Sequence, residues 1–186
     1  MDHKKEFKNN FEIKEYPIEG VYELSSKRIF DSRGFFLNCF KEENFEFQKI
    51  WKGRHIKQIN LSKTLRKGTI RGLHFQREPF SECKLIRCLR GSVWDVAVDL
   101  RQDSPTYLSW LSVEISAELD NCFVIPEGCA HGFQSLEDDT ELLYIHSNIW
   151  KPSYEKGIRW DDKTININWP LDPINISEKD LSLPEV

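Results

Sequence analysis

The sequence lacks most features that would place a chain in a membrane, outside the cell or on nucleic acid. It contains no run of 18 apolar residues, so no stretch reads as a membrane-spanning helix. Its start, Met1-Asp2-His3-Lys4-Lys5-Glu6, is charged where a secretory signal needs an apolar core, so a cytoplasmic protein is expected. Basic residues are outnumbered, 26 Lys+Arg against 30 Asp+Glu, and the net charge of −4 argues against a nucleic-acid partner. No CxxC pair is present, which disfavours a cysteine zinc site. The five cysteines, Cys39, Cys83, Cys88, Cys122 and Cys129, are odd in number and read as free, mostly buried thiols. Glycine and proline form no linker, and no internal repeat divides the chain. One domain over 1–186 is expected, with residues 1–10 a solvated tail.

What is present is aromatic and apolar. Phe, Trp and Tyr make 12% of the chain and apolar residues 39%, enough area to offset chain entropy in a globular core. Short runs rich in Val, Ile, Leu, Phe and Trp fall at 21–30, 34–40, 56–61, 69–75, 84–89, 92–100, 107–115, 122–125, 132–136 and 141–150. Turn clusters such as Asp31-Ser32-Arg33-Gly34 and Gln102-Asp103-Ser104-Pro105 separate them. Residues 42–51 read as a short helix. Many short strands at regular spacing give an all-β fold: a sandwich, jelly roll or barrel with a few short helices.

Alternation says which side chains share a face. Leu143, Ile145 and Ile149 (with Ser147) fall on one side of the 141–150 run, a face fit for a core. Leu142, Tyr144, His146, Asn148 and Trp150 fall on the other, which is polar and aromatic. In 92–100, Trp94, Val96, Val98 and Leu100 oppose Val93, Asp95, Ala97 and Asp99. His74 shares a face with Ile70, Gly72 and Gln76. A barrel with a polar lining accommodates all three strands, and polar faces that simply meet water do so equally.

Several residues could do chemistry. His74 titrates near neutrality, as a general base must, although a lone histidine is more often structural. Lys84 reads either as a cation for an oxyanion or as a snorkelling edge lysine. Tyr144 could donate a proton. Pro126-Glu127-Gly128-Cys129-Ala130-His131 has the spacing of a cupin-type turn entering a strand. A metal-binding cupin also needs an H-x-H pair, and Gln76 stands two residues after His74, so no metal and no cofactor are expected. Asp180, in Ser177-Glu178-Lys179-Asp180, reads as a helix-cap pattern or a solvated tail.

Taken in order, these segments resemble the dTDP-4-dehydrorhamnose 3,5-epimerase family, metal-independent cupin-fold enzymes. The resemblance runs over roughly residues 20–180. It includes Asp31-Ser32-Arg33-Gly34-Phe35-Phe36, Arg71-Gly72-Leu73-His74-Phe75-Gln76 and Asp95-Val96-Ala97-Val98-Asp99-Leu100-Arg101. Ala130-His131-Gly132-Phe133, Tyr144 and Trp169-Pro170 continue it. The resemblance implies a cupin-type jelly roll that inverts C3, C5 or both of a nucleotide-diphosphate 4-keto-6-deoxy sugar through an enolate. It casts His74 as the base, Asp180 as the carboxylate orienting it, Lys84 as the cation near the enolate oxygen and Tyr144 as the acid. It assigns Arg71 to the diphosphate, and Arg33, Gln58, Asn60, His131 and Glu155 to other substrate contacts. It further implies a homodimer, with the 31–36 region contributing across the interface.

Two positions depart from the family near the nucleotide base. Asn38 stands where a glutamate is usual, and Trp150 where a tyrosine is usual. They open GDP and CDP beside dTDP, and an enzyme that inverts one centre only, on a hexose or heptose. One residue more than usual separates Asn60 from Arg71. Two competing classes are a non-catalytic sugar-nucleotide-binding cupin and a metal-dependent cupin oxygenase. Four acid, base and cationic residues together disfavour the first, and the missing H-x-H disfavours the second.

Overall fold

The computed structural model describes residues 11–41 and 45–186, and these described residues form thirteen strands and two short helices. The expected tail at 1–10 and the start of the expected 42–51 helix lie outside those residues. The strands are β1 Phe11–Glu15, β2 Tyr22–Ser26, β3 Ile29–Asp31, β4 Gly34–Phe36, β5 Gln58–Thr64, β6 Ile70–Gln76 and β7 Lys84–Arg90. They continue as β8 Ser92–Asp99, β9 Trp110–Ser116, β10 Asn121–Ile125, β11 Cys129–Ser135, β12 Thr140–His146 and β13 Glu155–Gly157. Helix α1 is Phe45–Trp51 and α2 is Glu178–Leu181.

Two sheets face each other. One has six strands in the order β1-β2-β10-β7-β12-β5, and the other five in the order β13-β6-β11-β8-β9. The strand pairs in both are antiparallel. This is the jelly-roll sandwich expected of a cupin. A separate hairpin, β3-β4, stands apart from both sheets.

Apolar residues form three layers because both sheets are apolar on both faces over part of their area. Val93, Ala97, Phe123, Phe133 and Leu142 pack between the sheets. Phe47, Ile50 and Trp51 of α1 cover the back of the six-stranded sheet against Leu24, Leu85, Val124 and Ile145. Val96, Val98 and Leu73 face away from the interior and are covered by Ile158 and Ile165. There Trp94 meets Trp110 and Trp169 edge-on, at centroid distances of 5.7 and 5.6 Å. Each fully buried large side chain contributes roughly 1.5–3 kcal/mol by leaving water.

The expected strands were found, with the 21–30 run split into β2 and β3, the 34–40 run ending at Phe36 and the 107–115 run starting at Trp110. β1 and β13 were not foreseen. β1 reads Phe-Glu-Ile-Lys-Glu, with Phe11 its one buried side chain, and β13 has three residues. The run expected to reach Trp150 stops at His146, where Asn148 Oδ1 accepts the N–H of Ile149 and turns the chain. Ile149 is therefore 40% exposed rather than in the core expected for it, whereas Ile145 is buried. Lys84 is no edge lysine: β7 lies between β10 and β12, and Lys84 is only 7% exposed.

The alternation question resolves in favour of the lined interior. Tyr144 and His146, and His74 with Ile70, line one cavity between the sheets, of about 930 Å³.

Candidate active site

Strand β6 supplies the centre of the cavity wall. His74 Nε2 lies 2.7 Å from Asp180 Oδ1. Asp180 is 106 residues further along the chain and arrives on α2, which Ser177 caps by accepting the Asp180 N–H at 3.1 Å. Its second oxygen accepts the N–H of Gly72 at 3.2 Å. Gly72 has φ +118°, and a Cβ there would stand 2.6 Å from the Cα of Gly132, so glycine is required where β6 and β11 approach. The carboxyl is buried, which opposes its charge, but the His74 bond and charge and the Gly72 N–H outweigh that and hold it below the usual carboxylate range. A carboxylate accepting Nε2–H leaves the imidazole lone pair on Nδ1. That is the arrangement of a base held in one tautomer. The expected cap pattern is present, but the solvated-tail reading of Asp180 is wrong: it is 3% exposed.

Strands β7, β11 and β12 add the remaining groups. Lys84 Nζ donates to the His74 carbonyl oxygen at 3.2 Å and pairs with Glu82 Oε1 at 3.3 Å. The Tyr144 hydroxyl lies 3.5 Å from Ser62 Oγ. Its ring centroid is 6.0 Å from those of both His131 and His146. Removal from water pushes the ionisation of that phenol up, so it is present as the neutral donor at neutral pH. His131 Nε2 contacts Asp95 Oδ1 at 2.5 Å, deep between the sheets.

The rim is polar. Arg71 is held by Thr64 Oγ1 at 3.1 Å and by the Lys63 carbonyl at 2.9 Å. Glu155 pairs with Lys179 at 2.8 Å. Gln58 Oε1 accepts the N–H of Trp150 at 2.8 Å, and Gln58 Nε2 donates to Asn60 Oδ1 at 3.0 Å.

Ten of the twelve residues singled out from the sequence therefore line one cavity: His74, Lys84, Tyr144, Asp180, Gln58, Asn60, Arg71, His131, Trp150 and Glu155. Arg33 and Asn38 do not line it in this chain. Arg33 sits in the turn of the β3-β4 hairpin, its side chain 87% exposed and paired with Asp31 at 2.5 Å. Sequence reasoning missed Glu82, Asp95 and His146 as partners of these groups. His146 could have been found, because alternation places it on the face of Tyr144. Glu82 could not, because it lies in a loop with no periodicity.

Among the described residues no three His, Cys, Asp or Glu side chains are grouped to hold a metal ion. Burial pushes the thiols of Cys83, Cys122 and Cys129 up to about 12 and Cys88 to about 11, so none is a thiolate nucleophile at neutral pH. Among the described residues no helix is long and apolar enough to cross a membrane.

The family model for dTDP-4-dehydrorhamnose 3,5-epimerase matches residues 15–186. The chain belongs to that family. The enzyme of the same name from Shigella flexneri is 45% identical over 165 residues, covering 89% of this chain and 90% of that protein. A dTDP-4-dehydrorhamnose 3-epimerase of Streptomyces niveus is 35% identical over 88% of this chain and 78% of its own length. A dTDP-6-deoxy-D-glucose-3,5-epimerase of Legionella pneumophila, solved with dTDP-4-keto-L-rhamnose, superposes with a TM-score of 0.88. It is 33% identical and covers 94% of this chain and 92% of that one. Membership makes this chain an isomerase of nucleotide sugars with the family's cupin-like fold.

Proposed function

We propose that the protein inverts C3 and C5 of a dTDP-linked 4-keto-6-deoxy sugar, with His74 as base and Tyr144 as acid. The observation that carries the reading is the convergence of the His74–Asp180 pair, Lys84 and Tyr144 on one cavity. The C4 ketone acidifies the protons on both neighbouring carbons. His74 Nδ1 takes one of them, and Asp180 stabilises the imidazolium that results. The Lys84 ammonium stabilises the charge that develops on the C4 oxygen. Tyr144 returns a proton to the opposite face, proton exchange with water restores neutral His74 and the Tyr144 phenol, and repetition at the other carbon completes the double inversion. No step requires a metal or an organic cofactor.

Substrate contacts follow from the rim. Arg71 takes the diphosphate, where a guanidinium fork suits phosphate oxygens. Gln58, Asn60, His131 and Glu155 contact the sugar and its linkage, and Trp150 offers an indole face to the base. The names of the relatives favour dTDP over GDP or CDP. The Trp150 departure does not oppose this, because an indole stacks on thymine as a phenol does. The Asn38 departure lies off the cavity of this chain.

The same reading includes a homodimer. The β3-β4 hairpin exposes Phe30, Phe35 and Phe36, and β5 is an edge strand that exposes Ile59 and Leu61. Unpaired edges and apolar clusters of this kind are normally covered. A second copy covers them in this reading and brings Arg33 toward the neighbouring cavity. Sedimentation checks it: a dimer at micromolar concentration is expected, and a monomer contradicts it.

Proton NMR in D2O tests the reaction. With a dTDP-4-keto-6-deoxy sugar, the C3 and C5 signals should both disappear. Loss of one alone would make this a single-centre epimerase, like the relative named a 3-epimerase. Retention of both would reject the reading. Competition among dTDP, GDP and CDP tests the base, and tightest binding of GDP or CDP would reject dTDP.

A further inference from the structure

The cavity contains a second set of ionisable groups that the mechanism above does not use. The loop before β7 places Glu82 beside Lys84, with side chains 7% and 9% exposed. A buried ion pair survives only when its remaining lone pairs and protons are also satisfied. Here they are. Glu82 Oε1 faces Lys84 Nζ at 3.3 Å, while Oε2 accepts from Gln76 Nε2 at 3.2 Å and His146 Nδ1 at 3.1 Å. Burial resists the charge on Glu82, but the His146 bond and the Lys84 charge hold its carboxyl below the usual range.

The bonds continue in one direction. His146 Nε2 accepts from Asn60 Nδ2 at 3.3 Å, Asn60 Oδ1 from Gln58 Nε2 at 3.0 Å, and Gln58 Oε1 from the Trp150 N–H at 2.8 Å. From Trp150 to Asn60 each donor is used once, and the order fixes His146 with its proton on Nδ1. The chain thus runs from Trp150 at the rim to Lys84 at the buried end. Lys84 closes it by donating to the carbonyl of His74. A lysine stem has four rotatable carbons, so its ammonium sits at one point only if something holds it there. Stability alone would be served as well by apolar packing at these positions.

We propose that Glu82 and His146 are positioning residues: they hold the Lys84 ammonium where the enolate oxygen forms, and Asn60 and Gln58 tie that placement to the rim. The proposal rests on the epimerase reading. Their role is exerted through Lys84 and not on the substrate itself.

Three variants test it, each assayed beside the wild type for kcat, KM, deuterium exchange and affinity for free dTDP. A hydrogen bond to a charged group is at stake, so Glu82→Gln should lower kcat about 10- to 100-fold. KM and dTDP affinity should stay within about twofold, because the loss falls on the transition state alone. Glu82→Asp keeps the charge and should recover most of the rate. His146→Phe keeps the ring stacked on Tyr144 but loses both nitrogens, and should lower kcat about three- to tenfold. If Glu82→Gln does not fold, His146→Phe decides: wild-type kcat in that variant overturns the proposal. So does a Glu82→Gln loss that Asp does not recover and that weakens dTDP binding equally, since that is the behaviour of a structural pair. Absence of exchange in the wild type would instead overturn the epimerase reading and this inference with it.

Discussion

Among the described residues three histidines pair with carboxylates, and the two on neighbouring strands, His74 of β6 and His131 of β11, are built for different work. His131 and Asp95 sit on β11 and β8, adjacent strands of one sheet, with side chains 7% and 0% exposed. Both partners come from the sheet itself, so the pair is fixed as soon as the sheet forms. His74 directly faces His131 across β6 and β11, yet its side chain is 27% exposed. Its carboxylate comes from the far end of the chain, on a one-turn helix that folds back over β6. The first pair is closed into the cavity wall, so little of the His131 ring is open to a ligand. In the second, Asp180 holds one nitrogen in the same way, but the ring stays open to the cavity. The difference shows that a base is defined by what remains free after its partner is satisfied, not by the presence of a histidine–aspartate bond.

The comparison can be broken by substitution. His74→Asn keeps a donor toward Asp180 but removes the base, and is expected to lower kcat about 10³- to 10⁴-fold, a loss of the size seen for a general base. His131→Asn keeps a donor toward Asp95, and steady-state kinetics should show a loss of no more than about tenfold, mainly in KM, as for one hydrogen bond to substrate. Equal losses in the two variants would erase the distinction. Asp180→Asn leaves the fold of α2 intact and spoils the tautomer and charge of His74, so kcat should fall about 10²- to 10³-fold. Tyr144→Phe removes only the acid. Product formation should fall about 10²-fold while exchange of substrate protons with D2O continues, and loss of both together would mean that one group does both jobs.

The smallest effect is on stability. The Asp180 carboxyl in the folded protein ionises at a lower pH than in the unfolded chain, where it does so near pH 3.9. Its contribution is therefore complete above about pH 5 and is lost as pH falls through the folded value. Thermal melts should show a gentler acid loss below about pH 4 in Asp180→Asn than in the wild type. Identical acid profiles would mean that the His74–Asp180 bond adds nothing to folding.

How much of this was legible in the sequence follows from the range of each interaction. Strands with β-branched and aromatic alternation, such as β6, β8 and β12, could be read directly, and so could the faces they present. β1 could not, because Glu12, Lys14 and Glu15 mask a strand whose one buried side chain is Phe11. Period-two alternation, which is local, placed Tyr144 on a polar, aromatic face, but whether that face met water or lined an interior depended on the opposite sheet. Asp180 looked like a tail because its burial depends on α2 reaching β6 across 106 residues. Its role came from a family resemblance and not from pattern. Glu82 lay outside both kinds of signal: no alternation marks a loop, and its partner His146 is 64 residues away.

The central claim is that His74, and not His131, removes the substrate proton. Deuterium incorporation into a dTDP-4-keto-6-deoxy sugar, followed by NMR for His74→Asn and His131→Asn side by side, tests it most directly. The account expects no incorporation at C3 or C5 with His74→Asn, and incorporation at both with His131→Asn. Continued exchange with His74→Asn, or its abolition by His131→Asn alone, would contradict it.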